Sequence, residues 1–173
     1  MRAQAFYRTV TVDDARLMEE LVRRLEAGHM PYCVIGGQGV NAYADPLVSL
    51  DLDIVVATSE LERVLADLPP NVRVEQFVHS VNLSAADSDL RVQLQLDKRY
   101  ADFPTRAVRL PVLGTPMQVA APQDVLSGKV WAASDPTRRA SKRQKDLADI
   151  ARLIERFPEL RAQVPASLLA RLV

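Results

Sequence analysis

Two short apolar runs, each joined to a distinctive motif, constrain the fold of this chain most. The first run, Tyr32–Ile35, ends at Gly36-Gly37, and the second, residues 51–57, opens with Asp51-Leu52-Asp53 and continues into β-branched residues. Short apolar runs bounded by turn residues are typical of buried strands. We therefore predict two strands, with a connector of 13 residues between the two motifs.

The second strand carries a pair of carboxylates. Because side chains alternate along a strand, Asp51 and Asp53 leave one face while Leu52 and Ile54 leave the other. Two close carboxylates repel when both are ionised, and a divalent cation offsets that repulsion. Mg²⁺, or Mn²⁺ in its place, suits such a pair, and two ions can assist an in-line phosphoryl displacement. The alternative is two solvated acids, but unpaired charge is costly in so apolar a strand.

The glycine pair is predicted to form a turn between strand and helix. Glycine permits positive φ and close backbone approach, and N–H groups at a helix start can hold phosphate. The alternative is a tight turn with no ligand. Gly39 extends the motif to GGQG, but a dinucleotide-binding fingerprint is excluded because the third glycine is missing and the second strand arrives too soon.

Periodicity places a mixed sheet before a helical C-terminal part, which predicts an α+β fold. We expect a core domain over residues 1–121 and a helical segment over residues 122–173 packed on it. The predicted helices cover residues 12–25, 38–44, 59–68, 122–135, 137–156 and 165–172. The further predicted strands cover residues 72–78, 80–84, 90–96, 108–113 and 116–120.

Composition limits the possible classes of protein. With 173 residues, 48% of them hydrophobic, the chain can bury a core. Its formal net charge of zero gives no global argument for nucleic-acid binding. The single cysteine, Cys33, cannot form an internal disulfide and reads as a buried thiol. No apolar segment reaches membrane-spanning length and no signal peptide is recognisable, so we expect a cytoplasmic protein without a membrane partner.

Taken together, the glycine pair, the connector and the aspartate pair resemble the signature of the DNA polymerase β-like nucleotidyltransferase superfamily. More narrowly, VIGGQGVNAY followed by SLDLDIVV resembles small bacterial nucleotidyltransferase-like proteins, including the AbiEii-type toxins of type IV toxin–antitoxin systems. The stretch GKVWAASDPTRRASKRQKDLADIARL is similar to their helical segment. The resemblance covers about residues 31–57 and 126–153.

The resemblance implies roles for particular residues. The glycines and the next polar residue, here Gly36, Gly37 and Gln38, would hold the phosphates of an NTP. Asp51 and Asp53 would bind the metal. The resemblance also moves two lysines, Lys129 and Lys145, towards contact with the nucleotide. Both belong to a basic segment whose other members are Arg138, Arg139, Lys142 and Arg143. On charge alone, this segment is interpreted as a solvated helix face.

A third carboxylate on a neighbouring strand completes the metal site and activates the acceptor hydroxyl in that superfamily. Residues 90–97 are the natural source, and their polar face offers Arg91, Gln93, Gln95 and Asp97. If Asp97 reaches the metal, the catalytic set is Asp51, Asp53 and Asp97. If a glutamine occupies the place instead, the site has lost its base, because an amide cannot take a proton.

These expectations leave three functions open. The first is an enzyme that transfers an NMP from an NTP to an acceptor hydroxyl. The AbiEii-type resemblance implies a macromolecular acceptor, such as tRNA or a protein, and an antitoxin-type partner protein. The second is a catalytically impaired module that binds nucleotide, RNA or a partner protein. The third is a small-molecule modifier of the aminoglycoside-adenylylating kind, against which we weigh the short length of the chain.

Overall fold

The computed structural model describes residues 14–66, 68–86 and 88–172. Its helices are α1 (Asp14–Ala27), α2 (Gly36–Asn41), α3 (Leu61–Leu65), α4 (Pro122–Ser134), α5 (Ala140–Arg156) and α6 (Ala166–Leu169). Its strands are β1 (Tyr32–Ile35), β2 (Asp51–Val56), β3 (Val72–Gln76), β4 (Ser80–Ala85), β5 (Arg91–Gln95), β6 (Val108–Val112) and β7 (Thr115–Val119).

The strands form one mixed sheet with the order β3-β4-β5-β2-β1-β7-β6. The strand that carries the aspartates, β2, lies near the middle, antiparallel to β1 and parallel to β5. Helices lie against the sheet, as the predicted α+β fold requires, so that prediction is confirmed. No helix in the described ranges is long and apolar enough to cross a membrane.

The two faces of the sheet bury different partners. On one face, Leu52 and Ile54 of β2 join a core that includes Leu21 and Leu25 of α1. On the other face, a second core joins Cys33, Ile35 and Val55 to α4 and α5, through side chains that include Val125, Leu126 and Ile150. Asp51 and Asp53 lie on this second face, as the alternation predicted, and both remain partly exposed.

Most predicted elements are confirmed, with shifted ends. The first helix was expected from residue 12, but residues 1–13 lie outside the described part of the chain. The short helix begins at Gly36 rather than at residue 38, so both glycines lie in its first turn. The predicted helix over residues 59–68 divides into a 3-10 turn, Thr58–Glu60, and α3. The long C-terminal helix begins at Ala140, three residues after its predicted start.

Candidate active site

Asp51 and Asp53 stand at the start of β2 and face different surroundings. One carboxylate oxygen of Asp51 lies 2.8 Å from Nη2 of Arg91, on the neighbouring strand. Its other oxygen lies 3.7 Å from Nζ of Lys142, on α5. The carboxylate of Asp53 makes no hydrogen bond or ion pair with any described residue. Of the two aspartates, Asp53 is therefore the one whose carboxylate has no ion-pair partner among the described residues.

Gly36 brings the backbone against Asp53. Its φ is +66°, in the left-handed region that side chains disfavour. A Cβ added there would overlap Oδ2 of Asp53 and come within 2.9 Å of its Cγ. Gly37 is also confined, since a Cβ there would lie 3.2 Å from Oγ of Ser49. The predicted need for glycine at this turn therefore has a specific cause: the aspartate occupies the space of a side chain.

Electrostatics at Asp53 reflect this crowding. Burial raises the pKa of Asp53 to about 6, the charge of Lys129 opposes that rise, and Asp51 adds to it. The charges of Arg138 and Lys142 also lower the pKa of Asp53. Three cations of the helical part therefore act on a carboxylate of the sheet, although none of them makes an ion pair with it.

Gln38 is buried and engaged with the protein. Its Nε2 donates to the Ser49 carbonyl oxygen at 2.7 Å, in the connector that leads into Asp51. Asn41 holds the same connector, because its side chain donates to the Leu47 carbonyl at 2.7 Å and accepts from the Leu47 N–H at 3.0 Å. In this structure, the side chain of Gln38 therefore fixes the path of the connector.

The place on β5 beside Asp53 holds a glutamine. The parallel pairing sets Asp53 opposite Gln93 and Asp51 opposite Arg91. Asp97 lies four residues beyond Gln93, which corresponds to about 13 Å along an extended strand. The described residues contain no group of three His, Cys, Asp or Glu side chains that could hold a metal ion. The structure thus brings Asp51 and Asp53 together, and it does not add Asp97 to them.

Asp97 instead orients an arginine. Its carboxylate accepts from the backbone N–H of Arg99 at 2.9 Å, and from Nε and Nη2 of the same residue at 3.1 and 3.0 Å. These bonds lower the pKa of Asp97. The guanidinium of Arg99 lies 5.1 Å from the ring centroid of Trp131, on α4. Asp97 therefore supports a cation–π contact between the turn that follows β5 and helix α4.

Lys129 lies in a closed cluster between α4 and α5. Its Nζ is 3.1 Å from Oδ1 of Asp146 and 2.7 Å from Oδ2 of Asp149, and all three side chains are buried. Burial alone lowers the pKa of Lys129, but Asp149 and Asp146 outweigh it and leave the pKa raised. The ammonium of Lys129 is therefore held by two carboxylates. It acts on Asp53 only through the long-range effect of its charge.

Some of the remaining basic residues bind buried carboxylates, and others are exposed to solvent. Arg138 binds Asp146 at 2.5 Å, and Arg152 binds Asp149 at 2.9 Å. Lys145 is exposed on α5 and is not part of this cluster. The sequence identifies Arg91 only as part of a polar strand face, because its contact with Asp51 depends on the pairing of strands that are distant in sequence.

The fold is similar to that of several solved structures. No protein-family model matches this sequence, and no curated protein matches it either. Among solved structures, ANT(2")-Ia in complex with adenylyl-2"-tobramycin superposes with a TM-score of 0.60 at 14% identity, over 91% of this chain and 97% of that one. The lincomycin-bound lincosamide antibiotic adenylyltransferase LnuA gives 0.53 at 11% identity, over 80% and 96% of the two chains.

An antigenic nucleotidyltransferase-like protein from Paracoccidioides brasiliensis is also similar, with a TM-score of 0.56 at 18% identity over 84% of this chain and 77% of that one. At these identities the likeness shows the fold. This chain has the nucleotidyltransferase fold.

Proposed function

We propose that this protein is a nucleotidyltransferase that transfers an NMP from an NTP to an acceptor hydroxyl and releases pyrophosphate. The observation that carries the proposal is the pair Asp51 and Asp53 on a partly exposed sheet face, beside the glycine turn and opposite the cations of α5. Carboxylates for a metal and cations for phosphate are both needed to hold a metal–triphosphate complex.

The donor set of the pair fits Mg²⁺ or Mn²⁺. Mg²⁺ is commonly held by one or two carboxylates and completes its shell with water and substrate phosphates. Asp51 and Asp53 supply oxygens on one face, and Asp53 has no competing partner among the described residues. When bound there, the ion would neutralise charge on the triphosphate and on the leaving pyrophosphate.

The protein's own side chains would hold the rest of the triphosphate. Arg91 and Lys142 contact Asp51 and remain partly exposed, so both can turn to phosphate oxygens once a cation satisfies the carboxylate. The absence of a Cβ at Gly36 lets backbone, rather than a side chain, border Asp53. Gln38 contributes indirectly, because it fixes the connector that ends at Asp51.

The transfer is a single displacement at the α-phosphorus. The acceptor hydroxyl oxygen forms a bond to the α-phosphorus, and the bond from that phosphorus to the bridging oxygen breaks. Pyrophosphate leaves with the bonding electrons. Gln93, the residue beside Asp53 on β5, cannot accept the hydroxyl proton, so the proton passes to water.

A second candidate function is a binding module with the same fold. The observation that favours it is again Gln93 opposite Asp53, together with the engagement of Asp97 by Arg99. Such a module would bind a nucleotide, RNA or a partner protein without turnover.

The resemblance to AbiEii-type toxins supports a narrower version of the first proposal. In that version the acceptor is macromolecular, either the 3′ end of tRNA or a protein hydroxyl, and an antitoxin-type partner protein restrains the activity. Growth arrest on expression, relieved by Asp53→Asn, is the outcome that this version predicts.

Label transfer tests the proposal directly. The full chain is incubated with each of the four α-labelled NTPs, Mg²⁺ and either total tRNA or cell lysate, and labelled products are separated by size. We expect one NTP to label an acceptor, with release of pyrophosphate. Asp53→Asn is expected to abolish the labelling, because it removes half of the carboxylate pair.

The matched control is Glu62→Gln, which changes an exposed carboxylate on α3. It should label the acceptor at the wild-type rate. If no NTP labels any acceptor while nucleotide binding remains measurable by calorimetry, the transferase proposal fails and the binding module is favoured.

A further inference from the structure

The two edges of the sheet differ in how far they are protected against pairing with another strand. One edge is β6, where Pro111 has no backbone N–H to donate and Arg109 forms an ion pair with Glu26 at 2.8 Å. The other edge is β3, which has no proline over Val72–Gln76 and pairs only with β4 among the described strands. Sheets usually protect an exposed edge, because its unpaired backbone groups can bind another strand. Of the two edges, β3 is therefore the one that can accept a further strand.

The hydrogen bonding of the β3–β4 hairpin determines which backbone groups of β3 point outwards. The N–H of Phe77 donates to the carbonyl oxygen of Ser80 at 2.8 Å, so these two residues form a hydrogen-bonded pair. Such pairs alternate along an antiparallel ladder, and the backbone groups of every second residue of β3 therefore bond to β4. The N–H and C=O groups of Val74 and Gln76 consequently face away from the sheet.

The side chains of β3 form a pattern that is symmetric about Val74. Arg73 precedes it and Glu75 follows it, and these two exposed side chains lie 2.6 Å apart. Val74 is also exposed, although it lies opposite the buried Leu83 of β4, because β3 ends the sheet. A two-fold axis at Val74 sets each arginine opposite a glutamate, so this edge is complementary in charge to itself.

We propose that β3 pairs antiparallel with β3 of a second copy of this chain, about a two-fold axis at Val74, and joins the two sheets into one. In this register Val74 bonds to its own counterpart, and the N–H of Gln76 donates to the carbonyl oxygen of Val72 in the second copy. Each Arg73 lies opposite a Glu75, in the non-hydrogen-bonded pairs whose side chains approach most closely. The inference is independent of the proposed transferase function.

Charge favours this register over its neighbours. An axis at Arg73 brings two arginines opposite each other, and an axis at Glu75 brings two glutamates together. Like charges directly opposite are destabilising, so of these three registers the one centred on Val74 combines backbone pairing with charge complementarity. A strand of five residues gives a small interface, and we therefore expect association at micromolar rather than nanomolar concentrations.

The joined sheet carries both candidate active sites on the same side. Residues directly opposite in antiparallel strands point to the same face, so the two-fold axis keeps the Asp53 side chains of the two copies on one face. Because β5, β4 and β3 separate β2 from the axis, the two Asp53 residues lie about 34 Å apart, at about 4.8 Å per strand. Pairing at this edge therefore leaves both sites open.

An exchange of charges tests the register in the full chain. Sedimentation velocity over a concentration series is expected to show a reversible dimer of the wild type. Arg73→Glu should weaken it at least about tenfold, because two opposite-charge pairs become like-charge pairs, and Glu75→Arg should do the same. The double variant exchanges both charges and should restore the wild-type dissociation constant. Arg161→Glu, an exposed arginine in the turn Pro158–Gln163, is the matched control and should leave that constant unchanged.

The backbone pairing is tested by a separate variant. Val74→Pro removes an N–H that faces away from β4, so the chain should keep the circular dichroism spectrum and melting temperature of the wild type and lose the dimer. In the wild type, hydrogen exchange at the Val74 and Gln76 amides should slow as the protein concentration rises, because pairing protects them.

A full chain that stays monomeric at millimolar concentration overturns the inference, and so does a double variant that associates as weakly as the single variants. A dimer whose Val74 and Gln76 amides exchange at a rate independent of concentration would pair through another surface and would also overturn it. None of these measurements requires a nucleotide, so their failure leaves label transfer as the separate test of the transferase.

Discussion

Two pairs of aspartates in this protein are surrounded by cations, and they differ in how far those cations satisfy them. Asp146 and Asp149 of α5 are both 1% exposed and share the ammonium of Lys129, with an arginine on each outer side. Asp51 of β2 has two partly exposed cations, one of them at 3.7 Å, and Asp53 has no partner among the described residues.

The difference separates a charge cluster that is satisfied within the protein from the pair that we propose binds a metal ion. In the closed pair, each negative charge is offset by protein groups at hydrogen-bonding distance, so nothing from outside is needed. In the open pair, burial raises the pKa of Asp53 and the pair still lacks an internal counterion. An external cation is the natural complement of the open pair and would find no place in the closed one.

We expect the largest effect from removing the ammonium that Asp146 and Asp149 share. Lys129→Met should lower the free energy of unfolding by about 3–5 kcal/mol, because it leaves two buried carboxylates without their shared ammonium. Urea denaturation followed by circular dichroism measures the loss.

The control is Lys145→Met, which removes an exposed lysine of the neighbouring helix α5 and should change stability by less than about 0.5 kcal/mol. Unchanged stability of Lys129→Met, combined with lost nucleotide affinity, would instead make Lys129 a direct phosphate ligand.

The next effect concerns the open pair without metal. The pKa of Asp53 is about 6 in the folded chain and 3.8 ordinarily, so the folded state holds an extra proton between these values. Stability therefore falls as pH rises through that window and stays lower above it. Asp53→Asn should remove this loss and stabilise the metal-free protein at pH 7.5 by at most about 3 kcal/mol.

Thermal unfolding in a chelator at pH 4 and pH 7.5 measures this effect. The two proteins should be nearly equal in stability at pH 4, where Asp53 is protonated in the native state. A variant that is less stable than the wild type at both pH values would show that Asp53 is satisfied inside the protein, and the contrast between the two pairs would not hold.

A carboxylate added on β5 would give Asp51 and Asp53 the third acidic group that they lack. Gln93→Asp places a carboxylate opposite Asp53 and should raise the rate of label transfer at least about tenfold, because it can accept the hydroxyl proton. Gln95→Asp, two residues farther and opposite Val55, is the matched control and should leave the rate near that of the wild type. Equal rates for both variants would argue against position 93 as the place where a third carboxylate acts.

The smallest effect concerns Asp97. Asp97→Asn should change label transfer by less than about twofold and lower the free energy of unfolding by about 0.5–1 kcal/mol, since it weakens the bonds to Arg99. Tryptophan fluorescence should report the loosened contact with Trp131. Loss of transfer comparable with that of Asp53→Asn would restore Asp97 as the third carboxylate.

Local patterns predicted much of this structure. Alternation in residues 51–57 placed Asp51 and Asp53 on one face, and the turn residues around Tyr32–Ile35 marked its ends. The predicted start of α2, residue 38, is two residues late. Glycine disfavours helices, yet both glycines lie in the first turn of α2, where Asp53 fills the space that a side chain of Gly36 would need. Tertiary contact there overrides propensity.

The strands, the need for glycine and the common face of the aspartates could be predicted from local patterns, because each follows from backbone geometry over a few residues. The residues that surround those aspartates depend on how distant segments pack together. The parallel pairing of β2 with β5 put Gln93, and not Asp97, beside Asp53. The packing of α4 on α5 enclosed Lys129 between two carboxylates. Strand register and helix packing join residues that are distant in sequence, so no local spacing encodes them.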